Sequence, residues 1–203
     1  MSELFSIQLQ NRQQSRDGIW LDLPTTTEQV QAALRQIGIS SDNPQGLFIS
    51  GYFAEEEKRF AIPYNMVLAS NVDELNFLAS RLETLSAGER AELNAALQAP
   101  QSELFSIGRI TDFPENVDYY VHLPDVHGPA QLGDYYLNRS GMVDMPEEWK
   151  GGIDTVQFGR YVDQQEQGVF TEYGYLVKSG DAWQKVHEGQ PVPEEYRVLS
   201  FPA

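Results

Sequence analysis

Two histidines and an aspartate lie within six residues, in the stretch His122-Leu-Pro-Asp-Val-His127. Imidazole nitrogens and carboxylate oxygens are ligands that Zn²⁺ takes from proteins, so His122, Asp125 and His127 could seat a metal that activates water for hydrolysis. Pro124 and the loop expected around it leave the ligand geometry unspecified. Ordinary strand-end and loop residues are the favoured interpretation, and hydrolysis stays an alternative.

The remaining candidates for catalysis are acidic and carry little specificity. Glu55-Glu56-Glu57 is followed by Lys58-Arg59, which is typical of a solvated turn, and some carboxylates among 30 acidic residues will be close enough by chance for glycosidase-type chemistry. No GxGxxG, HExxH or GxSxG motif occurs, and the absence of cysteine removes thiolate nucleophiles and thiolate metal sites. We therefore expect a protein that is not an enzyme and has no cofactor or metal.

Charge is the strongest global feature of the chain. Asp and Glu number 30 against 14 Lys and Arg in 203 residues, which gives a net charge of −16. Residues 1–102 carry 13 acids and 7 bases, net −6, whereas residues 103–172 carry 13 acids and 4 bases, net −9. Such a field repels the phosphates of nucleic acids and membranes and attracts basic partners. We expect no direct binding of nucleic acid or of a membrane.

The magnitude of this charge is comparable to that of DNA. A compact chain of this length is about 40 Å across, and a stretch of duplex DNA about 40 Å long presents about 24 phosphate charges.

The sequence has no run of apolar residues long enough to span a membrane, and its first residues, MSELFSIQLQNRQQ, lack the features of a signal peptide. The sequence therefore predicts a soluble, cytoplasmic protein.

Hydrophobic periodicity predicts an α+β fold with an N-terminal α+β domain, a central helical domain, a C-terminal α+β domain and an extension. These domains are expected at 1–66, 67–101, 102–177 and 178–203. Expected strands are 4–10, 18–23, 47–53, 59–64, 103–110 and 118–124, with a strand or tight hairpin at 168–177 and a further hairpin turn at 178–181. Expected helices run over about 25–38, 72–85, 86–98, 128–141 and 153–165.

The hexapeptide SELFSI occurs twice, at 2–7 and at 102–107. Leu-Pro follows at 23–24 and again at 123–124, so both landmarks recur at an offset of 100 residues. This common offset predicts one structural unit built twice, with SELFSI as the first strand of each copy. Because each copy contributes a single acid, it is a poor candidate for a recognition motif.

Several stretches carry a resemblance to a known family. They include GIWLDLPTTTEQVQAALRQIGI, DELNFLASRLETL, ERAELNAAL and QLGDYYLNRSGMVDMPEEWKGGIDTVQFGRYVDQQEQGVFTEYGYLV. The pattern resembles the ArdA family of antirestriction proteins, most specifically in LG-YY, the PEE-W linker, the helix with FGR and the F-T-x-Y-GY ending. The resemblance extends over about residues 18–177.

This resemblance implies a DNA mimic carried by mobile genetic elements. It implies three small domains in an elongated, curved, acidic molecule that forms a homodimer through its C-terminal domain. It also implies that the protein occupies the DNA-binding groove of type I restriction-modification enzymes. An acidic binding module for another basic DNA-binding partner, such as a transcription factor or a CRISPR effector, is the alternative.

With this implied function, the acidic residues between 103 and 172 become candidates for the surface that imitates DNA. Because such a field is distributed, we expect a single acid-to-amide change to lose little. The candidates are Asp112, Glu115, Asp118, Asp125, Asp134, Asp144, Glu147, Glu148, Asp154, Asp163, Glu166 and Glu172.

Overall fold

A computed structural model shows a mixed α and β fold, as expected, and its described residues form two small antiparallel sheets. It describes residues 4–14, 17–40, 44–55, 60–100 and 102–199. The strands are β1 Phe5–Asn11, β2 Ile19–Leu23, β3 Leu47–Phe53, β4 Tyr120–Leu123, β5 Val169–Thr171 and β6 Gly174–Lys178. The helices are α1 Thr27–Gln36, α2 Tyr64–Ala69, α3 Val72–Glu83, α4 Ala87–Gln98, α5 Ile107–Thr111, α6 Pro129–Asn138, α7 Glu147–Lys150 and α8 Thr155–Glu166.

The chain forms two compact units, each built from discontinuous segments. Unit 1 comprises the described residues of 1–86, 104–115 and 184–203, and unit 2 comprises those of 87–103 and 116–183. Helix α3 therefore belongs to unit 1, and α4 belongs to unit 2. The division of the chain into the four expected domains stays a prediction.

Unit 1 contains a sheet of order β2-β1-β3, in which both neighbours of β1 are antiparallel to it. Phe5, Ile7 and Leu9 lie on one face of β1, because successive side chains of a strand point to opposite faces. All three are buried. Helices α1 and α3 pack against β2, and α2 packs against β3. The three strands expected between residues 4 and 53 are confirmed.

Capping boxes start α1 and α3. The Thr26 side chain accepts from the backbone N–H of Gln29, and the Gln29 side chain accepts from the backbone N–H of Thr26. Asn71 and Glu74 form the same reciprocal pair at α3. These bonds satisfy N–H groups that have no partner inside the helix, so both predicted helices begin where the sequence indicates.

The predicted repeat of the SELFSI strand is wrong. Its first copy contributes Phe5, Ser6 and Ile7 to β1, although residues 2 and 3 lie outside the described residues. In the second copy the predicted strand at 103–110 is replaced by irregular chain and then by α5, because Ser106 caps that helix by accepting from the backbone N–H of Arg109. The two copies are therefore not one structural unit built twice.

Two further predicted strands are absent from the described residues. Residues 60–63 of the expected strand at 59–64 are irregular and lead into α2, which begins directly after Pro63, while Arg59 lies outside the described residues. Residues 182–199 form no strand and contain a single 3₁₀ turn, Glu194–Tyr196, so the expected C-terminal hairpin is also wrong.

Unit 2 is built on a sheet of order β4-β6-β5 and on the pair of helices α6 and α8. The hairpin of β5 and β6 confirms the expectation for 168–177. Val126, Leu132 and Tyr175 form the centre of its core, with Phe170 and Val162 packed around them. None of the described helices is long and apolar enough to cross a membrane.

Candidate protein-interaction surface

The twelve candidate acids are divided unequally between the units. Ten of them belong to unit 2, and only Asp112 and Glu115 belong to unit 1. Within unit 2 they occur in the loops before and after β4, in the loop before α7, on α6, α7 and α8, at the N-cap of α8, and in the turn between β5 and β6. Local structure determines which of these carboxylates face solvent with their charge uncompensated.

Four of the candidates in unit 2 are exposed and make no hydrogen bond or ion pair with the part of the chain that the structure describes. We call these the four exposed acids: Asp118, Asp125, Asp144 and Glu148. Asp118 precedes β4, Asp125 follows it, and Asp144 lies in the loop before α7. Their full negative charge is available to a basic partner.

Two further exposed acids stand at helix N-termini. Asp154 caps α8, and its side chain accepts from the backbone N–H groups of Val156 at 2.9 Å and Gln157 at 3.1 Å. Glu147 opens α7 and forms an ion pair of 2.7 Å with Lys150. A carboxylate is favourable at this end of a helix because unpaired N–H groups give it partial positive charge.

Asp134 and Glu172 are engaged by neighbouring side chains. Asp134 accepts from Asn138 at 2.8 Å and from Arg139 at 2.9 Å. The hydrogen bond from Asn138, followed by that from Arg139, lowers the pKa of Asp134, so this residue stays ionised. Glu172 accepts a hydrogen bond from the side chain of Gln98.

The C-terminal part of α8 turns two acids toward tyrosines of the unit 2 core. Glu166 accepts from the hydroxyls of Tyr136 and Tyr175, the latter at 3.3 Å, and Asp163 lies beside Tyr175. Burial, together with these carboxylates, raises the pKa of both tyrosines, which therefore remain protonated donors. Both carboxylates are half-buried. Glu166 is bound by the two tyrosine hydroxyls, and Asp163 lies next to Tyr175.

Asp112 is not part of any surface, contrary to the expectation from sequence. It is fully buried, and its carboxylate accepts from the backbone N–H groups of His187 and Glu188. A buried carboxylate is stable only with such donors, so Asp112 has a structural role. Glu115 is half-buried and forms an ion pair with Arg81.

The sequence did not single out a carboxylate cluster in unit 2. One carboxylate oxygen of Glu92 is buried and has no hydrogen-bond partner among the described residues. Burial, and then the negative charges of Glu89 and Asp118, raise the pKa of Glu92 to about 8. The spacing of Glu89 and Glu92 places them on one face of a helix, but only the fold brings Asp118 to them.

The candidate metal ligands do not form a site. The Nε2 atom of His122 lies 2.7 Å from the carbonyl oxygen of Tyr173, and the described residues contain no group of three His, Asp or Glu side chains that could hold a metal ion. Of the acidic run at 55–57, only Glu55 is described, and it is exposed.

Comparison with known proteins supplies the family. A family model described as "Antirestriction protein (ArdA)" matches residues 14–177. The chain belongs to the ArdA family of antirestriction proteins. No match to the chain was found among curated proteins. The resemblance inferred from LG-YY, PEE-W and the FGR helix is confirmed.

The ArdA match contains all four exposed acids and every described strand and α-helix except β1, which precedes it, and the last residue of β6. It ends before the segment 184–199, which returns to unit 1. Residues 184–199 of this ArdA chain therefore lie beyond the part that the family model matches.

Proposed function

We propose that this chain protects incoming mobile DNA by imitating B-form DNA and occupying the DNA-binding groove of a type I restriction-modification enzyme. Membership of the ArdA antirestriction family is the observation that carries the proposal. The protein acts in the cytoplasm by binding, without catalysis or a cofactor, and does not itself bind nucleic acid.

The electrostatic basis is competition for a basic groove. A groove that binds DNA is lined with Lys and Arg, and it attracts a polyanion both by steering and by release of counterions. Fixed carboxylates provide the same attraction without the energy that bending real DNA requires. The 13 acids against 4 bases in residues 103–172 support this mechanism.

The candidate acids contribute unequally to this surface. We assign the main contribution to the four exposed acids, because no described residue pairs with their carboxylates or donates a hydrogen bond to them. Glu147, Asp154 and Glu172 are exposed and add to the same field, whereas Glu115, Asp134, Asp163 and Glu166 are half-buried and contribute less. Asp112 is excluded because it is buried.

We further propose a homodimer formed through the C-terminal domain. Large apolar side chains are exposed in this region: Met142 is 74% exposed, Trp149 is 67% exposed and Tyr161 is 59% exposed. Exposed apolar side chains are costly to leave in water, and burial of these three between two copies would favour dimer formation.

Plating of unmodified phage tests the function. Cells with a type I restriction system should be infected with and without expression of the chain, and cells without a restriction system serve as the control. Expression should restore plating in the restricting cells and leave it unchanged in the control cells. Failure to restore plating against several type I systems would overturn the proposal and favour another basic DNA-binding partner, such as a transcription factor or a CRISPR effector.

A further inference from the structure

The segment 184–199 belongs to unit 1, although it follows unit 2 in the sequence and lies beyond the family match. It contains no strand or α-helix, and its internal backbone hydrogen bonds are those of short turns, such as the bond from the N–H of Gln190 to the carbonyl oxygen of His187. Val198 near its end is only 4% exposed. Most of the other residues of the segment are exposed or half-buried, so specific contacts with unit 1 must hold it in place.

Asp112 binds the first part of the segment. Its two carboxylate oxygens accept from the backbone N–H of His187 at 2.6 Å and from that of Glu188 at 3.3 Å. Arg109 forms an ion pair of 2.9 Å with Glu188. A Cβ on Gly108 would lie 3.2 Å from the Cα of Glu188, so the segment approaches the backbone of α5 closely.

Asp73 binds the last part of the segment in the same manner. One oxygen of its carboxylate accepts from the backbone N–H groups of Val198 at 2.7 Å and Leu199 at 2.8 Å. Asn76, one turn further along α3, donates to the carbonyl oxygen of Tyr196 at 3.0 Å. Two carboxylates therefore each bind a pair of consecutive N–H groups.

Between these contacts, the segment covers Phe77 of α3. The ring centroids of His187 and Tyr196 lie 4.9 Å and 4.7 Å from that of Phe77. Such distances are within the range of favourable aromatic pairs. The segment thus supplies both the donors for the two carboxylates and the apolar cover for this part of α3.

We propose that residues 184–199 act as an intramolecular peptide ligand of unit 1, seated on α3 and α5 and bound through its backbone by Asp73 and Asp112. If the segment left, the buried carboxylate of Asp112 would lose the hydrogen bonds from the backbone N–H groups of His187 and Glu188, and Phe77 would lose its cover. This surface of α3 and α5 fits an irregular peptide that presents pairs of consecutive N–H groups and aromatic side chains, and the C-terminal segment of the chain is the peptide that it binds.

Amide hydrogen exchange of the full-length protein tests this proposal. In the wild type, the amides of His187, Glu188, Val198 and Leu199 should exchange at least about tenfold more slowly than those of an unstructured peptide, because exchange requires local opening. Asp112→Asn removes one acceptor and should accelerate exchange at His187 and Glu188. Asp73→Ala should accelerate exchange at Val198 and Leu199.

Two references separate loss of the ligand contact from loss of folding. The amides of β1, in the same unit, should keep their protection in Asp73→Ala, whose side chain is only half-buried. Glu194→Gln removes an exposed charge from the segment and should leave all four amides protected. Unprotected amides in the wild type, or protection unchanged by both Asp73→Ala and Asp112→Asn, would overturn the proposal.

Discussion

Gly133 of α6 and Gly159 of α8 bring the backbones of their helices into contact. A Cβ on Gly159 would lie 2.8 Å from the backbone nitrogen of Gly133, and a Cβ on Gly133 would lie 3.0 Å from that of Gly159. A Cβ on Gly133 would also overlap the backbone carbonyl oxygen of Thr155, and a Cβ on Gly159 would overlap that of Pro129, so this close approach of the two helices depends on glycine at both positions. This crossing positions Asp134, Asp154 and the acids at the end of α8.

Replacing either glycine by alanine should therefore destabilise unit 2. We expect Gly133→Ala or Gly159→Ala to cost about 3 kcal/mol, because the added methyl group meets backbone that cannot move aside. Urea unfolding, with amide exchange of β6 as the reporter for unit 2, measures the effect.

Gly88→Ala is the matched control. A Cβ on Gly88 in α4 would meet no atom within 4 Å, and alanine favours a helix over glycine by about 0.5 to 1 kcal/mol. This variant should be as stable as the wild type or more stable. An equal loss in all three variants would contradict the close crossing of α6 and α8.

Glu92 should make unit 2 less stable as pH rises. Its pKa is about 8 in the folded protein and 4.5 ordinarily, so the folded state binds more protons between these values. Protonated Glu92 contributes its full stabilisation of the fold below pH 4.5, and this contribution is lost as pH rises through 8. Glu92→Gln cannot ionise and should lose less stability between pH 5 and pH 9 than the wild type, as measured by thermal unfolding.

Glu148→Gln provides the comparison for that pH profile. Glu148 is exposed, so its removal should leave the dependence of stability on pH parallel to that of the wild type. If the stability of Glu92→Gln depends on pH in the same way as that of the wild type, protonation of Glu92 does not contribute to the stability of the fold.

Asp154 should act on stability through its hydrogen bonds to the first turn of α8. Asp154→Ala should cost about 1 kcal/mol, whereas Asp154→Asn keeps a capping oxygen and should be close to neutral. The free energy of unfolding from urea titration distinguishes the two. Equal losses in both variants would indicate that the charge of Asp154, and not its capping bond, stabilises the helix.

The proposed dimer should depend on exposed apolar residues around α7 and α8. Trp149→Ala combined with Tyr161→Ala should shift the protein from dimer to monomer, as measured by sedimentation equilibrium over a range of concentrations. Trp20→Ala removes a half-exposed aromatic side chain from unit 1 and should leave the dimer intact. A dimer that persists unchanged in the double variant would contradict this interface.

Local sequence signals were sufficient to predict two helices that begin at a capping box. The capping residues Thr26 and Asn71 and the helical periodicity after them were sufficient for α1 and α3. The two copies of SELFSI show the limit of such signals, because Phe-Ser-Ile belongs to a strand beside β2 and β3 in the first copy but leads into α5 in the second. Tertiary context outweighs local preference in short segments.

The negative charge of the candidate surface was predictable from the sequence, but the exposure of its individual acids was not. The sequence indicated the concentration of acids in residues 103–172, and the fold then separated Asp112, which is buried, from Asp125, which is exposed. The partners of Asp112 are 75 and 76 residues away in sequence, so no local pattern could indicate its role. The same holds for the approach of Asp118 to Glu92.

Competition with DNA tests the central claim most directly. The inhibition constant of the protein should be measured against DNA binding by a type I restriction-modification enzyme, for the wild type and for a variant with all four exposed acids changed to amides. Each change alone should weaken inhibition only two- to threefold, and the four together should weaken it about 30-fold, because contributions of exposed charges are small and accumulate.

A second variant controls for net charge. Asp17→Asn, Glu55→Gln, Glu194→Gln and Glu195→Gln together remove the same number of exposed charges from unit 1. We predict inhibition that is competitive with DNA, strongly weakened in the variant of unit 2 and nearly unchanged in this control. Inhibition that is not competitive with DNA, or that a single substitution among the four exposed acids abolishes, would contradict the account.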